Sequence, residues 1–204
     1  MSHSIHRYFM INKPYDMVSQ FISDHETVLL GAIDFPFPEG IHAIGRLDKY
    51  SEGLLLLTTD KRITKLLFNS GITHNRTYLV KVKYEVTPEK LERLRTGLTI
   101  RIRGGLYYRT PPCEVHIVEP PVNLFPLPEP KPDYTPFTWL EITLTEGRYH
   151  QVRKMVLAAG HRCQRLIRIS IENMQLGDLQ PGEVKEFSED DFFSLLKLRE
   201  NIQS

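Results

Sequence analysis

Apolar positions change their spacing along this chain, and each change predicts an element. Arg7–Asn12 is a short apolar run stopped by Lys13-Pro14, because proline cannot donate to a strand ladder. Ile41–Leu47, interrupted by Gly45, and Leu54–Thr58 are two further strand-like runs. From Arg76 to Tyr84 the chain alternates: Tyr78, Val80, Val82 and Tyr84 take one face, and Thr77, Lys81 and Lys83 the other. That period of two predicts a half-buried strand. Short strands are expected around 99–102, 106–108 and 112–118, with Gly104-Gly105 as a hairpin turn, and longer ones at 139–144 and 165–171. One or two helical turns fit 27–33. Asp60 can cap a helix through Phe68, and Thr87-Pro88 opens another that Gly97 ends. Arg148–Ala159 carries a helical stripe of Val152, Met155, Val156 and Ala159, closed by Gly160; Ser188 caps a last helix with Phe192, Leu195 and Leu196. Many strands and few helices, not strictly alternating, predict an α+β fold: a mixed, largely antiparallel sheet with flanking helices. Residues 1–6 read as a disordered tail. Pro120–Pro136 holds seven prolines in seventeen residues and predicts a long exposed loop, either a tolerated insertion or a binding loop.

Composition narrows the class. At 204 residues, with 41% hydrophobic and 25% charged positions, the chain excludes collagen-like, coiled-coil and wholly disordered classes. No apolar run approaches the ~20 residues that span a membrane, and the N-terminus lacks a secretory apolar stretch, so a cytoplasmic protein without membrane attachment is expected. Cys113 and Cys163 are isolated, and the histidines lack close ligand pairs, so neither a disulfide framework nor a metal site is predicted. The net charge of +1 hides an uneven distribution: 148–168 holds six Arg/Lys and no acid, 76–109 nine Arg/Lys against three Glu, and 172–200 eight acids against three bases. Basic central segments fit a polyanionic partner.

The most unusual segment is 45–55, GRLDKYSEGLL, which joins two apolar runs. Alternation in an extended chain puts Arg46 and Asp48 on one side. A carboxylate beside arginines stays ionised and suits nucleophilic or base chemistry, although generic statistics alone favour a surface turn with a local ion pair. At this point the sequence resembles a family. GRLDKYSEGLLLLTTD (45–60) is similar to the signature of the pseudouridine synthases, which convert uridine in RNA to its C-glycoside isomer. Asn12-Lys13-Pro14 resembles the element that opens their catalytic domain, and RTYLV (76–80) the strand bearing their active-site tyrosine. LTEGRYHQVRKM (144–155), followed by RLIR (165–168), resembles their third motif. Four motifs in the family's order are far more specific than one. The branch resembled contains the small-subunit ribosomal enzyme and the large-subunit enzymes B, E and F.

The resemblance implies one catalytic domain over 7–204, with two lobes and a central active-site cleft. Since only a short stretch precedes Asn12, it also implies no N-terminal S4 RNA-binding module. It makes Asp48 the catalytic aspartate, acting by addition to the base or sugar or by starting glycal formation. Tyr78 becomes the tyrosine that stacks on the target base, although its alternation fits a core aromatic as well. Arg153 becomes the basic partner of the aspartate, or else a snorkelling side chain. Lys13, Arg46, Arg76, Arg148, Gln151, Lys154, Arg165 and Arg168 are candidate RNA contacts. The reaction implied is redox-neutral and draws on no cofactor or metal. The expected partner is large-subunit (23S) ribosomal RNA, met by a monomer. The other readings are 16S RNA or tRNA as target, or a catalytically silent RNA-binding assembly factor. In chain order, the first lobe is expected from Arg7 to Tyr84 with returning strands, and the second to hold the Pro88 and Arg148 helices.

Overall fold

The computed structural model describes residues 6–68, 71–127 and 134–198. Residues 1–5 of the expected tail at 1–6, and 128–133 in the centre of the proline-rich loop, lie outside the described residues. In chain order the elements are β1 (Tyr8–Lys13), β2 (His42–Ile44), β3 (Glu52–Thr58), α1 (Ile63–Phe68), β4 (Arg76–Lys83), α2 (Pro88–Arg95), β5 (Thr99–Arg101), β6 (Tyr107–Arg109), β7 (Glu114–Val118), β8 (Phe137–Leu144), α3 (Gln151–Ala158), β9 (Cys163–Ile171), β10 (Met174–Gln175), β11 (Val184–Phe187) and α4 (Glu189–Leu195). Short 3-10 turns occupy Leu30–Ala32 and Arg103–Gly105. The fold is α+β. It divides into two compact units, one of Met1–His74 with Arg168–Ser204 and one of Asn75–Ile167. The strand bearing Tyr78 thus belongs to the second unit, not to the first lobe as the order of motifs suggested.

In the first unit β1 lies between β11 and β3, and both pairings are antiparallel. Every residue of β1 and β3 is buried. A strand covered on both faces needs apolar residues at every position, which is why Tyr8–Ile11 and Leu54–Leu57 read as runs rather than alternations. The Tyr8 ring packs 4.9 Å from Phe192 and 5.8 Å from Phe193, docking α4. The Tyr8 hydroxyl donates to Glu189 (3.1 Å) and meets Asp60 at 3.3 Å. Asp60 in turn accepts from the Arg62 backbone N–H and guanidinium at the start of the α1 turn. The acidic tail has a local cause too. Glu189, Asp190 and Asp191 form the first turn of α4, where negative charge opposes the exposed N–H dipoles, and the Ser188 hydroxyl accepts from the Asp191 N–H.

In the second unit β4 pairs antiparallel with β8, and β8 with β7. The predicted alternation of β4 is present: Arg76, Tyr78, Val80 and Val82 are buried and their neighbours half-buried. Tyr84 departs from it. The strand ends at Lys83, and Tyr84 takes φ +68° and is 59% exposed. α2 is capped by the Thr87 hydroxyl, which accepts from the Lys90 N–H, with Pro88 at the first helical position. α3 begins at Gln151, three residues after the expected start at Arg148, because His150 adopts a left-handed φ of +55° and turns the chain before Gln151. Gly97, after α2, is at φ +91°, and a Cβ there would sit 2.2 Å from the Thr110 carbonyl oxygen. Gly97→Ala is therefore expected to destabilise by about 2–4 kcal/mol, strain and backbone displacement together, seen as a lower urea midpoint.

Candidate active site

The loop carrying Asp48 connects β2 to β3 and is held from three directions. Gly45 opens it at φ +70°; a Cβ there would lie 2.8 Å from the Phe68 ring. The buried Ser19 hydroxyl then clamps Leu47: it accepts from the Leu47 N–H and donates to the Leu47 carbonyl, both at 2.9 Å. Leu47 is buried, whereas Arg46 is exposed and Asp48 half-exposed. That exposure pattern, with Leu47 inside and its two neighbours more exposed, is the one alternation in an extended chain predicts. The loop closes where the Ser51 N–H donates to the Asp48 carbonyl at 2.9 Å.

Beneath this loop lies the third restraint. Lys13 is fully buried, and its Nζ donates to the carbonyls of Met17 (2.6 Å), Pro14 (2.8 Å) and Lys49 (3.4 Å). Burial lowers its pKa to about 8, and the nearby carboxylates of Glu52, Asp48 and Asp16 work against that shift. Arg168, also buried, donates from Nε to the Leu54 carbonyl at 2.8 Å, next to the loop's exit strand. A buried charge persists only where partners satisfy it. Lys13 thus ties Lys49, the residue after Asp48, to β1, and Arg168 ties into β3, the strand that leaves the loop.

Three other expected RNA contacts are buried as well. Arg76, Gln151 and Arg165 are each less than a tenth exposed. Arg76 reaches the Thr145 carbonyl at 3.4 Å. The Gln151 amide donates to Glu146 and its carbonyl accepts from the Arg148 N–H. Arg46 and Arg148 are exposed and Lys154 half-exposed, so they remain available to a polyanion. Tyr78 is buried on β4 opposite Ile142, on the same strand face as Arg76. Arg153 is half-buried on α3, with Nη1 3.6 Å from the Cys163 sulfur. Burial raises the Cys163 thiol pKa, and the Arg153 charge partly offsets this. In the division of the chain, Asp48 falls in the first unit and Tyr78 and Arg153 in the second.

The structure adds residues that the motifs left without a role. The Tyr108 hydroxyl on β6 donates to Glu146 at 2.7 Å, and the Arg148 guanidinium lies 3.6 Å from the Tyr108 ring centroid. Glu146 also faces Arg148 Nε at 3.7 Å. A carboxylate, a phenol and an amide thereby fix the exposed Arg148. Glu146 and Gln151 stand within the third motif, but Tyr108 has no local signal, since its partner is 38 positions away.

The family model of the RNA pseudouridylate synthases matches residues 7–158, spanning the Asp48 loop, the Tyr78 strand and most of the third motif. The chain belongs to that family. This pseudouridine synthase is 40% identical over 184 residues to ribosomal large subunit pseudouridine synthase E of Vibrio vulnificus, covering 88% of this chain and 74% of that protein. It is 32% identical over 192 residues to ribosomal small subunit pseudouridine synthase A of Escherichia coli K12, covering 93% and 74%. A solved pseudouridylate synthase aligns with TM-score 0.75 at 26% identity, covering 93% of this chain and 74% of that one. The branch expected from the four motifs is the one these relatives occupy. As a pseudouridine synthase the protein is an isomerase, converting uridine in RNA to pseudouridine. No helix among the described residues is long and apolar enough to cross a membrane.

Proposed function

We propose that this pseudouridine synthase isomerises a uridine of large-subunit ribosomal RNA. The 40% identity to a relative named as a large-subunit enzyme supports that target most directly. Asp48 is the reacting carboxylate, Tyr78 the platform that stacks on the extruded base and assists loss of its C5 proton, and Arg153 the basic residue of the third motif. In the reaction the N1–C1′ bond of uridine breaks, a C5–C1′ bond forms, C5 gives up a proton and N1 gains one, so atoms and electrons balance within one nucleotide. The clamped Asp48 loop supports this assignment. Ser19, Lys13 and the Gly45 turn hold the backbone while the carboxylate stays half-exposed, as a group that meets an incoming ligand requires. Arg46, Arg148 and Lys154 contact the RNA backbone, and the enzyme acts as a cytoplasmic monomer.

Pseudouridines should be mapped in all ribosomal RNA and tRNA from cells with and without the gene. The expected result is loss of pseudouridine from 23S RNA alone. Loss from 16S RNA or tRNA instead would move the target, and an unchanged map would favour the silent assembly factor.

A further inference from the structure

A groove of about 830 Å³ lies in the second unit, between β5 with its following 3-10 turn on one side and α3 on the other. None of the catalytic assignments uses it. Its lining includes Ile100, Arg101, Arg103, Tyr149, Lys154 and Leu157. Two features of this surface are unusual together. Tyr149 is 72% exposed and Leu157 67% exposed, large apolar groups that a soluble domain ordinarily covers. Three cations, Arg101, Arg103 and Lys154, join them, and the lining contains no acid. Tyr149 already forms one step of a stack: its ring lies 3.9 Å from the His150 ring at 18°, and Lys154 Nζ is 5.2 Å from its centroid.

An apolar protein partner has no need of three cations, and a polyanion alone has no need of exposed Tyr149 and Leu157. An unpaired nucleotide needs both, since its base offers a π-face and its phosphates a negative charge. We infer that this groove is a subsite for unpaired RNA flanking the target uridine, in which a base extends the Tyr149–His150 stack and Arg101, Arg103 and Lys154 hold the adjoining phosphates. The inference rests on the proposed action on RNA and adds where that RNA is gripped. A uridine that must leave its stack is most accessible in a single-stranded segment, and such a segment has neighbouring bases free to be captured.

The probe is a fluorescently labelled oligouridylate of about twelve nucleotides, with an abasic oligomer of equal length as control, titrated into the full chain by anisotropy. Tyr149→Ala is expected to weaken oligouridylate binding about tenfold, Tyr149→Trp to keep it within about twofold, and the abasic oligomer to bind parent and both variants alike. Arg101→Ala combined with Arg103→Ala is expected to flatten the log–log salt dependence by about 1.4, or 0.7 for each phosphate that the protein no longer neutralises. Tyr149 is exposed, so its loss leaves the core intact, and the tryptophan variant separates stacking from any general disturbance. Unchanged affinity in Tyr149→Ala, or an equal loss on the abasic oligomer, would overturn the stacking subsite. An unchanged salt slope would overturn the phosphate grip. Parental pseudouridine formation on ribosomal RNA from cells lacking the protein is measured alongside. Turnover with no role for Tyr149 sinks only the groove. Tyr149-dependent binding with no pseudouridine formed on any RNA sinks only the enzymatic target reading.

Discussion

Asp48→Asn is expected to lower isomerisation by more than about a hundredfold while leaving the fold intact. The substitution preserves shape and volume and removes the charge and the nucleophilic oxygen. The loop's restraints are largely independent of the side chain: Ser19 binds the Leu47 backbone, Ser51 binds the Asp48 carbonyl, and Lys13 binds carbonyls of residues 14, 17 and 49. The electrostatic support that Asp48 gives to the Lys13 ammonium is lost. Unfolding free energy should therefore shift by no more than about 1 kcal/mol. Tritium release from 5-³H-uridine RNA measures turnover, and urea titration measures the fold. Activity within tenfold of the parent would remove Asp48 from the chemistry. A large loss of both activity and stability would make it a structural residue instead.

The sequence reveals elements best where one physical demand dominates. β4 alternates because one of its faces is buried, and β1 and β3 are continuously apolar because both of theirs are. The caps at Thr87 and Ser188 are visible because a hydroxyl preceding a helical run has one obvious use. The start expected for α3, Arg148, falls three residues early because two non-periodic features set it: the left-handed His150 and the Gln151 side chain that accepts from the Arg148 N–H. Tyr84 keeps the apolar rhythm of β4 although the strand has already ended, since periodicity marks faces better than ends.

At the site, the exposure of Arg46 and Asp48 around a buried Leu47 is legible from alternation alone. The burial of the basic residues is not. A lysine or arginine in a motif reads as a surface charge, because burial is a property of the folded chain and not of the residue. Lys13 and Arg168 are buried, and their partners are backbone carbonyls, which carry no residue identity for a sequence to display. Ser19 and Tyr108 escape notice for a related reason: each acts on a residue 28 to 38 positions away. The third motif does contain the residues that hold Arg148, Glu146 and Gln151, but their use depends on β6 arriving beside them.

Lys13→Met is expected to leave the protein folded yet lower turnover about a hundredfold, because it releases the loop without emptying the core. The side chains are similar in length, and methionine fills the buried volume. Two opposing energies decide the stability. Keeping the Lys13 ammonium charged at neutral pH costs the fold about 3 kcal/mol, since burial lowers its pKa from 10.5 to about 8. Losing it leaves the buried carbonyls it served without that donor, at about 1–3 kcal/mol each for the shorter bonds. The two nearly cancel, so the net change should stay within about 2 kcal/mol. Position does not cancel: the bond to the Lys49 carbonyl ties the residue after Asp48 to β1, and nothing in methionine replaces it. The same ammonium leaves a pH signature. Between about 8 and 10.5 the folded chain has released the Lys13 proton while the unfolded chain still holds it, so parental stability gains from this group as pH rises through that window and gains nothing from it below. Lys13→Met lacks that gain. Urea titrations of both proteins at about pH 7.5 and about pH 10 should show the difference, parent minus variant, moving in the parent's favour by about 2–3 kcal/mol. A difference that stays flat would mean that Lys13 titrates normally and does not hold the loop from within the core.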